Sequence, residues 1–299
     1  MTRCCPTRSH SLSLLRRAIQ VGALLLCLSV SPSLAQIIEP LGRIGTENLG
    51  ARSAIGLSDF GISIANVGDL DGDGITDVAA LSLHQGQGAL WVLFLNADGT
   101  VRDRLRLAHD TDARLPKAFG WTVAALGDLT GDGTLEVAVT GTMTNVFDDR
   151  QRLQHLWLFS LGPGGALADV QRVVLPNALR TQPHRVYSLA AAGDLDGDGR
   201  SELALGVTSE VTNDHYSLLF FLDEDAQVTM HHAYRPGDAV LAPLGDLDGF
   251  GEAVAGIGDV DGDGIPDLAV GAVAASGTHQ QQGAVAVLFM HRAPGAALH

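Results

Sequence analysis

Asp259-Val260-Asp261-Gly262-Asp263-Gly264-Ile265-Pro266-Asp267 decides how this chain is read, because variants of it occur four times. Carboxylates at positions 1, 3, 5 and 9 of the nonamer converge on one point if the backbone curls tightly, and glycines at positions 4 and 6 permit that curl. The carbonyl of position 7 then faces the same centre. Such a set of hard oxygen donors suits Ca²⁺, which takes about 6–8 oxygens in flexible geometry; Mg²⁺ demands a tighter octahedron and keeps its waters. The nonamer holds no Cys or His, the donors that would point to zinc.

The expected ligands of the first copy are Asp69, Asp71, Asp73, Asp77 and the carbonyl of Ile75. In the third they are Asp194, Asp196, Asp198, Glu202 and the carbonyl of Arg200, and in the fourth Asp259, Asp261, Asp263, Asp267 and that of Ile265. The second copy has Asp128, Asp132, Glu136 and the carbonyl of Thr134, but Thr130 stands at position 3, so this site is expected to bind least tightly. About four Ca²⁺ per chain follow. One Asp-Gly-rich nonamer is compatible with a solvated turn; four in register are not. An EF-hand begins similarly but needs a bidentate Glu at position 12 and flanking helices. Position 12 here is Ala80, Val139, Leu205 and Val270, and the flanks are short apolar or alternating runs that read as strand.

Residues 1–35 read as a secretion signal peptide. Arg3, Arg8, Arg16 and Arg17 form a positive leader, Ile19 to Val30 an apolar stretch, and Ser33-Leu34-Ala35 a small-residue cleavage site. That apolar stretch is short for a membrane span, and no later one is longer. Leu26 before Cys27 argues against lipid anchoring. The remaining domain, 36–299, contains no cysteine, because Cys4, Cys5 and Cys27 all lie in the leader. An exported chain without disulfides must be held by its core or by metal. Removing four arginines takes the net charge from −15 to −19, and 15 of the 34 acidic residues sit in the four loops. The acidity thus serves local ligation, and it argues against nucleic acid or an anionic membrane as partner.

Successive loops begin 59, 66 and 65 residues apart. A period of this size sets the architecture. Each period contains a run leading into the loop, a run leaving it, a strongly apolar third run (Ala89 to Leu95, Leu156 to Leu161, Ser217 to Leu222, Ala284 to Met290) and, in the first three periods, a more polar fourth. Four antiparallel strands per period describe the blade of a β-propeller. The fold class is therefore all-β, four four-stranded blades. The fourth period lacks its outer strand, and Ile37 to Ile44 is a candidate to supply it and close the ring. An open array or paired chains are the alternatives.

Phe-Gly, then about eight residues to G-D-[LV]-x-G-D-G, then a run such as Ala269-Val270-Gly271-Ala272, resembles the FG-GAP repeat of integrin α-subunit propellers and their bacterial relatives. The likeness covers Ile55 to Met290. Repeats 1, 2 and 4 carry Phe-Gly; repeat 3 has Arg185-Val186 there. No copy keeps the final Pro of Gly-Ala-Pro, and the family's propellers usually have seven blades. The resemblance implies ligand binding on the face away from calcium.

Enzymatic signals are poor. There is no G-x-S-x-G elbow, no thiol nucleophile after residue 35, and no carboxylate pair left over from the loops. His231-His232 falls on an expected outer strand, where neighbours point to opposite faces. Trp91, Trp121 and Trp157 are expected in the core. The long connections Gly141 to Leu153, Ser209 to Tyr216, Arg235 to Leu247 and Ala274 to Gly283 lie opposite the calcium loops and are the expected recognition surface. The sequence reads as a secreted, periplasmic or cell-surface module that binds a protein or glycan without catalysis. The alternative is a secreted enzyme, or an accessory domain of one, acting on polysaccharide or phosphoester.

Overall fold

In the first three repeats the apolar third run becomes a strand buried largely on both faces, and everything else in the blade is arranged around it. In the first repeat Gly88 to Phe94 is buried throughout, because neighbouring strands flank it in the sheet and other blades or connections cover its faces. The computed structural model describes residues 44, 59–84, 87–142, 154–176, 184–275 and 282–292. The leader and most of Ile37 to Ile44 lie outside them.

The protein is all-β, and its four sheets are the blades of a four-blade β-propeller. Blade 1 is β1 (Ile64–Gly68), β2 (Asp77–His84), β3 (Gln87–Leu95) and β4 (Val101–Ala108). Blade 2 is β5 (Val123–Gly127), β6 (Leu135–Thr142), β7 (Gln154–Leu161) and β8 (Leu167–Val173). Blade 3 is β9 (His184–Gly193), β10 (Glu202–Ser209), β11 (His215–Leu222) and β12 (Val228–Tyr234). Blade 4 has three described strands, β13 (Phe250–Gly258), β14 (Asp267–Ala272) and β15 (Ala284–Leu288). Within each sheet the strands are antiparallel and in chain order.

Each inner strand ends in a bulge just before its loop. The register slips at Asn66/Gly68, Ala125/Gly127 and Gly256/Gly258, and on the partner strand at Glu202/Leu203. Gly68, Gly127, Gly193 and Gly258 all have φ between 68° and 83°, the left-handed conformation that such a bulge assigns to glycine. The bulge re-aims the chain into the acidic loop.

Alternate residues of the second and third blades face their two neighbours. Ala79, Leu81, Leu90 and Val92 of blade 1 pack with Val123, Val137, Val139 and Phe159 of blade 2. Ala138, Leu156 and Leu158 on the other side of blade 2 join Leu203, Leu205 and Phe220 of blade 3. Leu219 and Phe221 of blade 3 meet Ile265 and Leu268 of blade 4. The Phe-Gly pairs enter these seams. Phe119 and Phe250 are fully buried, and Gly120 and Gly251 take φ of 113° and 96° against the backbone of the preceding blade. In repeat 3 the inner strand instead runs on through Arg185 and Val186, which pair with Thr208 and Val207.

Two expectations change. Trp121 is exposed, whereas Trp91 is buried and donates its indole N–H to Ser82 Oγ at 2.9 Å. Trp121 lies in the seam-entry segment before β5, so strand alternation does not govern it. The Ser209 to Tyr216 connection is a tight hairpin turn, closed by Ser209 N–H to Asp214 carbonyl at 2.9 Å. Residues 143–153 and 276–281 lie outside the described residues.

Blade packing is close enough to exclude a methyl group. A Cβ on Gly206 would stand 1.6 Å from the Gly251 carbonyl oxygen of the next blade, whereas one on Gly162 would meet nothing nearer than 3.7 Å. Gly206→Ala is expected to lower stability by about 1–3 kcal/mol, the usual cost of overpacking, and Gly162→Ala to leave the thermal midpoint nearly unchanged. Equal midpoints for the two variants would refute the close seam.

Candidate metal centres

The four nonamers fold into the same loop because their own side chains hold it. The position 1 carboxylate sits inside the curl and accepts backbone N–H groups from positions 4, 5 and 6. For Asp69 these come from Gly72 and Asp73 to Oδ1, at 2.8 and 3.0 Å, and from Gly74 to Oδ2 at 2.8 Å. Asp128 and Asp259 repeat the pattern, and Asp194 accepts from Gly197 and Gly199. The glycines at positions 4 and 6 have φ from 76° to 88° in all four loops, so both carry the expected left-handed conformation. Position 5 then caps the turn, with Asp73, Asp132, Asp198 and Asp263 each accepting the N–H of position 7 at 2.8 to 2.9 Å.

Position 9 joins the loop to the blade. Asp77, Glu136, Glu202 and Asp267 are all buried at the start of the second strand. Each accepts the N–H of position 2, Leu70, Leu129, Leu195 or Val260, at 2.5 to 3.0 Å. Asp77 also accepts from Leu95 at the end of β3, at 3.1 Å, and Asp267 from Met290, two residues past β15, at 2.9 Å. Every carboxylate oxygen has more than one lone pair, so these bonds leave room for a cation.

Carboxylate oxygens of Asp69, Asp71 and Asp77 lie within 4.8 Å of one another, as do those of Asp194, Asp196 and Glu202 and those of Asp259, Asp261 and Asp267. Positions 1, 3 and 9 thus converge in the three loops that have a carboxylate at each. The second loop, with Thr130, forms no such group of three acids among the described residues. The Thr130 hydroxyl is buried without a well-formed hydrogen bond of its own. The Thr134 hydroxyl lies 2.6 Å from Asp132 Oδ1 and 2.8 Å from Glu136 Oε1, with one proton to donate to either, and its bond to Asp132 holds that carboxyl below its usual range. Carboxylates, carbonyls and a hydroxyl make a hard donor set, which fits a divalent cation that prefers oxygen.

Position 5 behaves differently, and sequence reasoning missed why. Arg102, on β4, binds both Asp71 and Asp73. Arg200 pairs with Asp198 at 2.8 Å and also donates to the Leu129 carbonyl of the second loop. His291 meets Asp263 at 2.7 Å, which raises the imidazole pKa and lowers that of the carboxyl. Asp261, Asp263 and His291 form a fourth convergent group. His291 lies beyond β15, 28 residues from its partner, where no local spacing reveals it. The side chains of Ile75 and Ile265, at position 7, carry no polar atom to offer the loop.

Glu202 shows the cost of the crowding. Burial, opposed in part by the Leu195 N–H, and the charges of Asp196, Asp198 and Asp194 push its pKa from 4.5 up to about 8. In the ion-free protein the folded state therefore holds a proton that the unfolded state releases, so stability from this group is present below about pH 4.5 and is lost as pH rises through about 8. A cation reverses the balance by favouring the charged form. Glu202→Gln is expected to be more stable than the parent in chelator at alkaline pH, yet less stable when Ca²⁺ is supplied. Thermal melts in both conditions check this; the same sign of change in both would overturn it. Thr130→Asp completes the second loop and should tighten its cation binding in titration calorimetry.

A separate apolar pocket opens between blades 2 and 3, bordered by Thr140, His155 and His184. Burial and the nearby Arg172 charge keep His155 below the usual imidazole range, and no carboxylate lines the pocket. Among the described residues no helix is long and apolar enough to cross a membrane.

The repeat pattern is matched by known families. The profile of the FG-GAP-like repeat fits residues 54–139, and that of the FG-GAP repeat fits residues 186–220 and 250–288. Integrin alpha-3 of Cricetulus griseus is 31% identical over 74 residues, 24% of this chain and 7% of that protein. Integrin alpha-PS2 of Drosophila melanogaster is 29% identical over 165 residues, 50% of this chain and 11% of that protein. The chain thus spans only a small part of these relatives' length.

Proposed function

Because the chain is an FG-GAP repeat protein, we propose that it is an exported, calcium-binding β-propeller that serves without catalysis as a binding or adhesion module. Its ligand is a protein or glycan outside the cytoplasm. The observation that carries this reading is the shared loop geometry, with buried position 9 carboxylates tying each acidic loop to its blade. Such loops are scaffold parts. They commit the acids to ion binding and to rigidity, and leave recognition to the connections at the other ends of the strands. Asp69, Asp71, Asp77, Asp128, Asp132, Glu136, Asp194, Asp196, Glu202, Asp259, Asp261 and Asp267 are the proposed carboxylate ligands, with Asp73, Asp198 and Asp263 joining as their cationic partners give way.

On the proposed binding face, the connection from β12 to β13 packs Leu241 and Leu247 into the core while exposing Val240 and Leu244. A connection anchored by its own buried residues presents the exposed pair in a fixed position. This pair is the proposed contact for ligand.

Two measurements test the reading separately. Metal-free protein should melt many degrees lower than protein in Ca²⁺, since binding energy of an ion-dependent loop is folding energy. An unchanged melt would remove the calcium claim. Beads coated with the chain should capture members of a panel of extracellular proteins and glycans, and Val240→Asp should abolish capture without changing the Ca²⁺-dependent melt. Capture insensitive to Val240→Asp and to Leu244→Asp would place recognition elsewhere.

A further inference from the structure

Repeat 3 departs from its neighbours at the position where a phenylalanine enters the core. Between blades 1 and 2, Phe119 packs with Leu81, Leu90 and Val139 and meets Phe159 edge-on, ring centroids 5.3 Å apart. Phe250 is buried likewise with Val270 and Leu288 at the entry to blade 4. Arg185 holds the corresponding position of blade 3, nine residues before the loop. Its side chain turns elsewhere: the guanidinium lies 5.7 Å from the Tyr187 ring centroid and pairs with Glu210 at 3.4 Å. The next residue supplies the reason. Gly120 and Gly251 take φ of 113° and 96°, a bend open to glycine and closed to valine. Val186 keeps the chain in regular strand instead, with Arg185 opposite Thr208 and Val186 opposite Val207.

The apolar pocket between blades 2 and 3 lies where that ring would be. Its walls are the counterparts of the residues around Phe119. Leu156, opposite Thr140, corresponds to Leu90, opposite Leu81; Phe220, opposite Leu203, corresponds to Phe159, opposite Val137; and Leu205 corresponds to Val139. The companions of an aromatic ring are present without the ring. About 410 Å³ of space, part of it open to solvent, lies within these walls. No Asp, Glu, Lys or Arg is among the residues that border it, which selects a neutral ligand. His155, which does border it, has its Nε2 buried without a hydrogen-bond partner among the described residues. A buried polar atom left in that state costs free energy that a ligand hydroxyl recovers. The Thr140 hydroxyl is already paired with that of Thr122, at 3.0 Å.

We propose that this pocket binds a small neutral phenol, one aromatic ring in the space between blades 2 and 3 with its hydroxyl on His155 Nε2. Apolar cavities lined by core side chains take up single-ring molecules of this size. A neutral imidazole offers either a donor or an acceptor at Nε2, and a hydroxyl can answer both. His155 and His184 stand at the start of β7 and β9, so the pocket lies toward the strand ends away from the acidic loops. It is separate from the proposed contact at Val240 and Leu244, which belongs to the connection from β12 to β13, and the two can fail independently.

Titrating the full chain with p-cresol and with toluene tests this, because the two probes share a ring and a methyl group and differ in the hydroxyl. In the parent, p-cresol should saturate one site per chain. His155→Leu should weaken p-cresol at least about tenfold, since it leaves the ligand hydroxyl buried without a partner, and should leave toluene binding nearly unchanged. General damage to the seam would weaken both probes alike. Val186→Phe places a ring in the pocket from blade 3 and should abolish binding of both. Leu156→Phe fills the same space from blade 2 and serves if thermal melts show Val186→Phe unfolded. Absence of saturable p-cresol binding by folded parent protein overturns the proposal. So does p-cresol binding that His155→Leu leaves intact, or an equal loss of both probes in that variant. Binding retained by a folded, filled variant would put the ring elsewhere and equally refute it.

Discussion

Four buried carboxylates, Asp77, Glu136, Glu202 and Asp267, hold this structure to its shape. Each stands where an acidic loop becomes the second strand of a blade, and each receives a backbone N–H from the loop it terminates. A buried charge costs several kcal/mol unless it is paired and hydrogen-bonded. The backbone donors meet part of that cost, and only a positive charge at the centre of the loop meets the rest. The ion-free protein recruits whatever cation is within reach. Arg102, Arg200 and His291 serve in the first, third and fourth loops. None of these makes a hydrogen bond to position 9 itself among the described residues. The raised pKa of Glu202 is the proton's share.

That dependence explains why the loops need so few residue types. Aspartate at position 1 accepts three N–H groups of its own loop in the first, second and fourth copies and two in the third, and its short side chain places both oxygens near its own backbone. Position 9 tolerates Glu in the second and third loops, because there the carboxylate must reach only the N–H of position 2 and the centre. Thr130 at position 3 removes a charge without disturbing the fold of its loop, whose hydrogen bonds run through Asp128 and Asp132.

The number of blades, their strand order and the loop conformation were legible in the sequence because each is local. A loop ligand and its glycine lie within nine residues, and a third strand buried on both faces shows as an unbroken apolar run. The bulge glycines Gly68, Gly127, Gly193 and Gly258 were visible but carried no distinctive neighbour to mark their role. His291 and Arg102 were hidden because they reach position 5 from other strands, and strand register decides that contact rather than spacing. Trp121 was misplaced for a related reason. Alternation assigns a face only within a paired strand, and Trp121 precedes β5.

Loop geometry and blade geometry meet at the seams. Arg200 of the third loop donates to the Leu129 carbonyl of the second, Pro266 of the fourth loop lies against Gly193 before the third, and Gly164 of blade 2 donates to the Leu70 carbonyl of the first. The acidic loops are therefore in contact with one another or with the next blade, and their conformation enters the angle at which each blade meets its neighbour. An ion that fixes the loops consequently acts at two levels. It would neutralise the buried carboxylates, and it would stiffen the contacts through which each blade meets its neighbour.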